Sequence, residues 1–336
     1  MTSALFDHLS PLGSRPALRL VKLNLEDVNV SYAQRTFMKC MDFTALGDFS
    51  IQNFVGAATL LTLLTALFKG QGSSLMRFCC WQPKVPLTLL EAFLLSFKGL
   101  RHLHMIALRE GRNPSLTRIL GRHPGILDLA FIECDRCTQQ VVPSAYETMT
   151  SIANAEYRIA ELALTLPAMY VDKCSSATVG DERAVSTAMD ILSLMPRLRI
   201  LQIVNWPQAP HCLLENDRPE FLATGTHDTA VRDLNEERYM YLLDTYATDM
   251  VSYLGSRRAM AVLKNISFLC FGLREITDFI IDPGTHADLE FDPDAYFVET
   301  EWSVFGGERA VARRRTLADL YYEEGGKSFV HHPWYL

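Results

Sequence analysis

Positive charge is in short supply: the 336-residue chain carries 32 Lys and Arg against 39 Asp and Glu, a formal charge of −7. Its surface as a whole is therefore not the basic footprint of a nucleic-acid binder. Cysteine is scarce too. Eight residues are too few for a disulfide scaffold, and Cys79, Cys80 and Cys270 sit in apolar runs where a free thiol packs as a small hydrophobe. The first residues lack a basic stretch followed by an apolar core, so no secretory signal is expected and the sequons at Asn29 and Asn265 carry no weight. Charge is missing altogether from Ile51 to Phe68, a run of 18 residues at the lower limit for a membrane helix. Gln52, Asn53, Thr59, Thr62 and Thr65 within it, and the lack of flanking aromatics, point to a buried helix instead. The expectation is a cytoplasmic or nuclear protein, not secreted and not bound to a membrane.

Apolar side chains are not lacking. At 49% of residues, against 21% charged, they suffice to offset the entropy of ordering a chain. The length allows two or three ordinary domains or one elongated repeat array. A Leu-x-x-Leu-x-Leu motif with apolar substitutes favours the array. It occurs at Leu18-x-x-Val21-x-Leu23, Leu75-x-x-Phe78-x-Cys80, Leu100-x-x-Leu103-x-Met105 and Ile126-x-x-Leu129-x-Phe131. It continues at Ile159-x-x-Leu162-x-Leu164, Leu198-x-x-Leu201-x-Ile203 and Ile266-x-x-Leu269-x-Phe271. Successive starts lie 57, 25, 26, 33, 39 and 68 residues apart, and a degenerate unit at Met38-x-x-Met41-x-Phe43 would divide the first gap. Leucine-rich repeats run at about 20–29 residues, so only the middle is regular.

The intervening segments 59–68, 87–97, 145–155 and 183–194 have helical composition, and Gly70, Gly99, Pro124 and Pro196 read as points where the chain must leave a helix. Each unit reads helix, turn, short strand. Period-2 alternation puts the fourth and sixth motif positions inward and their neighbours outward. One such unit cannot bury its apolar face alone, but stacked neighbours can. The expected fold class is α/β: an irregular leucine-rich-repeat solenoid with parallel concave strands, convex helices and a C-terminal β-hairpin cap.

Gly99-Leu-Arg-His-Leu-His-Met105, Pro124-Gly-Ile-Leu-Asp-Leu129 with Phe131-Ile-Glu-Cys134, and Pro196-Arg-Leu-Arg-Ile-Leu-Gln-Ile203 give the chain a family likeness, as does the tail with Trp334-Tyr335. It resembles the irregular leucine-rich-repeat region of fungal F-box proteins. The likeness spans most of the chain and is one of style. It implies a non-enzymatic protein–protein interaction module, the substrate-recognition part of an SCF-type ubiquitin ligase receptor whose F-box docks the adaptor. No Leu-Pro-x-Glu-like opening precedes the first repeat, so the SCF adaptor is expected as a partner only if an F-box is supplied upstream. Otherwise the chain is a stand-alone scaffold or a truncated product.

Domain organisation is expected as a repeat array over 1–275 and a capping region over 276–336. Residues 207–235, with Pro207, Pro210, Pro219 and Gly225 among mixed charges, read as a loop insertion. Arg238 to Gly255 reads as a helix with Tyr239, Leu242, Leu243, Tyr246 and Met250 on one face. Alternation over Tyr296–Phe305, then Gly306-Gly307 and Ala310-Val311-Ala312, is a hairpin signal; together with 316–323 it would cap the array. Arg313-Arg314-Arg315 reads as a solvated face.

Three small constellations invite chemistry. Cys134-x-x-Cys137 lacks the second pair that zinc needs, and Cys134 falls at the position where a leucine-rich repeat places Asn or Cys. His102-x-His104 could serve a metal-dependent hydrolase, because alternate strand residues point to one side; this is the rival reading of function. His227-Asp228 sits in the polar insertion, and His331-His332 is terminal. There is no Gly-rich phosphate loop, nucleophile elbow or zinc-protease helix. No catalytic residue, metal ligand or cofactor is assigned. The outward strand positions form the expected partner-binding concave face: Lys22, Asn24, Arg77, Trp81, His102, His104, Asp128, Glu161, Thr165 and Gln202. Trp81 and Arg77 would suit a protein-binding hot spot there.

Overall fold

The computed structural model describes residues 18–26, 28–29, 41–52, 54–81, 85–109, 116–135, 141–154, 158–169, 179–205, 207, 229–258, 268–271, 294–302 and 308–315. The chain is mixed α/β, and it divides into two compact units. One comprises residues Met1–Val142 and Thr150–Ala160, the other Pro143–Met149 and Glu161–Leu336. The strands after residue 275 thus belong to the same unit as those from Glu161 onward.

The first unit holds β1 (Leu18–Arg19), β2 (Lys22–Glu26), β3 (Met41–Asp42), β4 (Asp48–Gln52), β5 (Arg77–Trp81), β6 (His102–Arg109), β7 (Asp128–Asp135) and β8 (Val141–Val142). Its helices include α1 (Ala57–Gln71), α2 (Leu87–Leu95) and α3 (Leu116–Arg122). β1 and β3 form a separate parallel pair. In the main sheet β2, β4, β5, β6 and β7 are parallel neighbours in that order, and β8 pairs antiparallel with the end of β7. The register aligns Leu23, Phe49, Phe78, Leu103 and Leu129 across five strands. These are the fourth motif positions, spaced 26, 29, 25 and 26 residues apart.

Two sequence expectations are corrected by this register. The first unit is Leu20-x-x-Leu23-x-Leu25, two residues later than expected; Val21 points to solvent. The missing unit is Leu46-x-x-Phe49-x-Ile51, all three side chains fully buried, rather than one starting at Met38, which lies outside the described residues. Residues 51–52 close strand β4, and the helix begins only at Ala57, after Gly56 adopts φ 104°. That backbone geometry is cheap for glycine alone and separates strand from helix within the uncharged run.

The starts of β4, β5, β6 and β7 carry the same pair of backbone bonds. The Val21 carbonyl accepts the N–H groups of Gly47 (2.8 Å) and Asp48 (3.1 Å), and the Gly47 carbonyl those of Met76 (2.9 Å) and Arg77 (3.0 Å). Met76 accepts from Arg101 (2.8 Å) and His102 (3.0 Å), and Arg101 from Leu127 (2.8 Å) and Asp128 (3.2 Å). One local geometry thus repeats four times at the second motif position.

Helices bury what the strands point inward. Leu60, Leu61, Leu64 and Phe68 of α1 and Leu87, Leu90, Phe93 and Leu94 of α2 are buried. Phe93 touches Phe49, Phe68, Phe78 and Phe97, with ring centroids 5.0–6.4 Å apart. Each such side chain contributes about 1.5–3 kcal/mol on burial. Against that, the helix-propensity loss of roughly 0.5 kcal/mol at Thr62 or Thr65 is small. Both threonine hydroxyls also donate to the carbonyl four residues back, Ala58 and Leu61, so neither is left unmet.

The second unit opens with α4 (Tyr146–Ile152), which straddles the division between the units. It also holds β9 (Glu161–Leu164), α5 (Val179–Ser193), β10 (Ile200–Ile203), α6 (Thr229–Arg258), β11 (Phe268–Phe271), β12 (Asp294–Trp302) and β13 (Glu308–Arg315). β9, β10 and β11 are parallel and align Leu162, Leu201 and Leu269; β12 and β13 follow antiparallel. The expected hairpin is therefore present, and β13 ends the order. Such an edge is a template for unwanted pairing. Here α6 covers it: Ser252 Oγ donates to the Ala310 carbonyl (2.6 Å), and Thr248 Oγ1 accepts the Ala312 N–H (3.3 Å). One turn earlier Asp244 takes Arg314 Nη2 at 2.7 Å and the Tyr296 hydroxyl at 3.0 Å. Arg313 pairs with Glu299 and Glu301, so this pair of the basic cluster is neutralised within the unit. The helix starts at Thr229, which places 229–235 in α6 rather than in the expected insertion. Residues 208–228, His227-Asp228, Gly306-Gly307, the 316–323 segment and the aromatic tail with His331-His332 lie outside the described residues, as does Cys137. No described helix is long and apolar enough to cross a membrane.

Candidate binding face

In an in-register parallel sheet, like motif positions stand side by side about 4.8 Å apart. A uniform charge there would stack against itself. The third motif position avoids this by alternating: Lys22, Asp48, Arg77, His102 and Asp128 stand in one row across β2, β4, β5, β6 and β7. Arg77 Nη1 lies 3.9 Å from Asp48 Oδ2, and His102 Nδ1 lies 3.1 Å from Asp128 Oδ2. The row stabilises its own register instead of presenting one sign of charge.

The fifth position adds a second row. His104 Nε2 is 2.8 Å from the same Asp128 Oδ2, and its Nδ1 is 3.7 Å from Cys79 Sγ. His104 bridges Cys79 and Asp128, one ring nitrogen facing each. Cysteine, imidazole and carboxylate thus follow one another in the order of a thiol nucleophile, base and orienter. Burial decides against that chemistry. Cys79 and His104 are fully enclosed, Trp81 packs tilted against His104 with centroids 6.2 Å apart, and burial drives the Cys79 thiol far above its usual pKa. A thiol without thiolate character or access is inert. The described residues contain no group of three or more His, Cys, Asp or Glu side chains that could hold a metal ion.

The ten sequence-chosen residues divide by exposure. Lys22 and Asn24 are open, and Arg77, His102 and Glu161 are half-buried. Trp81, His104, Asp128, Thr165 and Gln202 are buried, so the expectation of an open face along the whole row does not hold. In the first unit the open part is β2 and β4, where Lys22, Asn24 and Glu26 stand beside Asp48, Ser50 and Gln52. In the second unit Thr165 Oγ1, Gln202 Nε2 and Ser144 Oγ are buried without a hydrogen-bond partner. The Ser144 N–H reaches the Thr165 carbonyl at 2.8 Å, so Ser144 adjoins the end of β9. Asp48 and Cys79 were missed by the sequence reading; the Leu46-x-Asp48-Phe49 register would have found the first. Cys134 lies inside β7, beside Leu108, so the chain does not turn there as the repeat pattern suggested. Burial pushes its thiol up to about 11.

Comparison of the chain with protein-family models, curated proteins and solved structures returns no match.

Proposed function

We propose that the chain is a non-enzymatic leucine-rich-repeat solenoid that binds another protein, with parallel strands on its concave side and helices on its convex side. The observation that carries this reading is the backbone pattern repeated four times at the strand starts, from Val21 to Asp128. Repeats of this kind build extended surfaces whose use is recognition. The polar groups most suggestive of catalysis, Cys79, His104 and Asp128, are closed off and satisfy one another, which supports a structural role for them.

Within this reading the chain is the target-reading part of an SCF-type ubiquitin ligase receptor when an F-box precedes it, and an independent scaffold when none does. Affinity purification of the tagged chain, with and without any coding sequence upstream of Met1, tests the reading. Recovery of the SCF adaptor and cullin only with the upstream piece supports the receptor. A specific partner without ligase subunits supports the scaffold, and no specific partner in either form contradicts both.

A further inference from the structure

The strand face is half closed, but the rim where the strands begin is open. The second motif positions line it in one row: Val21, Gly47, Met76, Arg101 and Leu127. Val21 is 65%, Met76 51% and Leu127 38% exposed. These are three of the exposed large hydrophobics of the chain, and they recur on alternate rungs of one edge. Singly, exposed apolar residues need no explanation; aligned on one edge, these three offer apolar area to a partner.

Three cations stand beside this rim. Lys22 follows Val21, Arg101 occupies the rung between Met76 and Leu127, and Lys98 precedes it in the turn at Gly99, where φ is 100°. All three are exposed, and none forms an ion pair among the described residues. The nearby acids are already engaged: Asp42 accepts from the Thr44 N–H and hydroxyl, Asp48 faces Arg77, and Asp128 holds His102 and His104. In a chain of net charge −7, three cations without an ion pair among the described residues, beside three exposed apolar side chains, form a local exception.

We propose that this rim docks an acidic segment of a partner protein, its Asp and Glu side chains meeting Lys22, Lys98 and Arg101 and its apolar side chains covering Val21, Met76 and Leu127. The proposal rests on the protein-binding reading above and moves the contact from the concave strand face to the strand starts. Charge complementarity sets encounter rate and specificity, and the apolar row supplies the area removed from water. A nucleic-acid backbone would match the cations but leave the apolar row uncovered.

The test uses the full chain, immobilised, and a random display library of roughly 12-residue peptides. Selected peptides are then measured against Met76→Glu, Arg101→Glu and Lys98→Glu. These positions are exposed, and circular dichroism checks that each variant folds. The proposal expects enrichment of Asp and Glu together with Leu, Ile, Phe or Met. It expects each variant to weaken binding on the order of tenfold, and added salt to weaken it further. Basic or uncharged peptides, acidic peptides insensitive to all three variants, or no enrichment would overturn it. So would single-stranded RNA that displaces the selected peptides and binds Met76→Glu as well as the parent. Peptides lost instead on Asn24→Lys or Gln52→Lys would also overturn the rim but leave the protein-binding reading standing.

Discussion

His123 joins two successive repeats, and its replacement gives the sharpest stability prediction. Its Nε2–H donates to the Leu94 carbonyl at 2.7 Å, and its Nδ1 accepts the Leu100 N–H at 3.3 Å. The ring packs 5.1 Å from Phe97 and is almost wholly buried. Only the neutral imidazole can make both bonds, because the protonated ring has no acceptor. Burial accordingly holds the His123 pKa below its ordinary value; the Leu94 bond opposes that shift and the Arg122 charge adds to it. His123→Ala orphans a carbonyl and an N–H, each costing about 1–3 kcal/mol, so a loss of about 3–5 kcal/mol is expected with the ring packing included. The pH dependence follows from the sign of the shift. Between the folded and unfolded pKa values the native state binds fewer protons, so this group's contribution is complete above pH about 6.5 and falls as pH drops below it. The slope is at most about 1.4 kcal/mol per pH unit. His123→Gln does not titrate and removes that slope, while every other histidine is common to both proteins. Urea unfolding from mildly acidic to neutral pH measures both quantities. Equal slopes for parent and His123→Gln, or a His123→Ala loss below about 1 kcal/mol, would refute the reasoning.

Cys79, Cys80, Cys134 and Cys270 are buried free thiols, so alkylation followed by mass spectrometry should label them only once the chain unfolds; rapid native labelling of Cys79 would contradict its closed position. Thr248→Val with Ser252→Val removes the side chains that cover the β13 edge, which should cost about 0.5–1.5 kcal/mol per bond and promote concentration-dependent self-association seen by light scattering. Elemental analysis of purified protein is expected to find no stoichiometric zinc; zinc that disappears with His102→Ala and His104→Ala would favour a metal-dependent hydrolase instead.

The repeat was legible because its strands stack in register, so apolar residues recur where the ladder needs them. Phe78, Leu103 and Leu129 show it directly. The unit at Leu46 was hidden because Ser50 and Gln52 alternate too weakly, and the uncharged run from Ile51 reads as one helix until Gly56 divides it. Shifting the first unit by two residues left Lys22 and Asn24 outward, since a two-residue slip preserves the face. Which outward residues stay open was not legible. His104 and Asp128 look like surface residues by type, and their burial depends on Cys79 and His102, 25 and 26 residues away, supplying hydrogen-bond partners. The rim at the second motif position was overlooked because period-2 reasoning sorts residues into two faces and assigns none to a strand end.

Hydrogen exchange on the purified chain, free and in complex with a partner recovered by affinity, tests the central claim most directly. The account predicts slowed exchange in 18–26 and 98–102, at the strand starts of the first unit, with α1 and α2 unchanged. Protection confined to α1 and α2, or no change anywhere in the first unit, would contradict it.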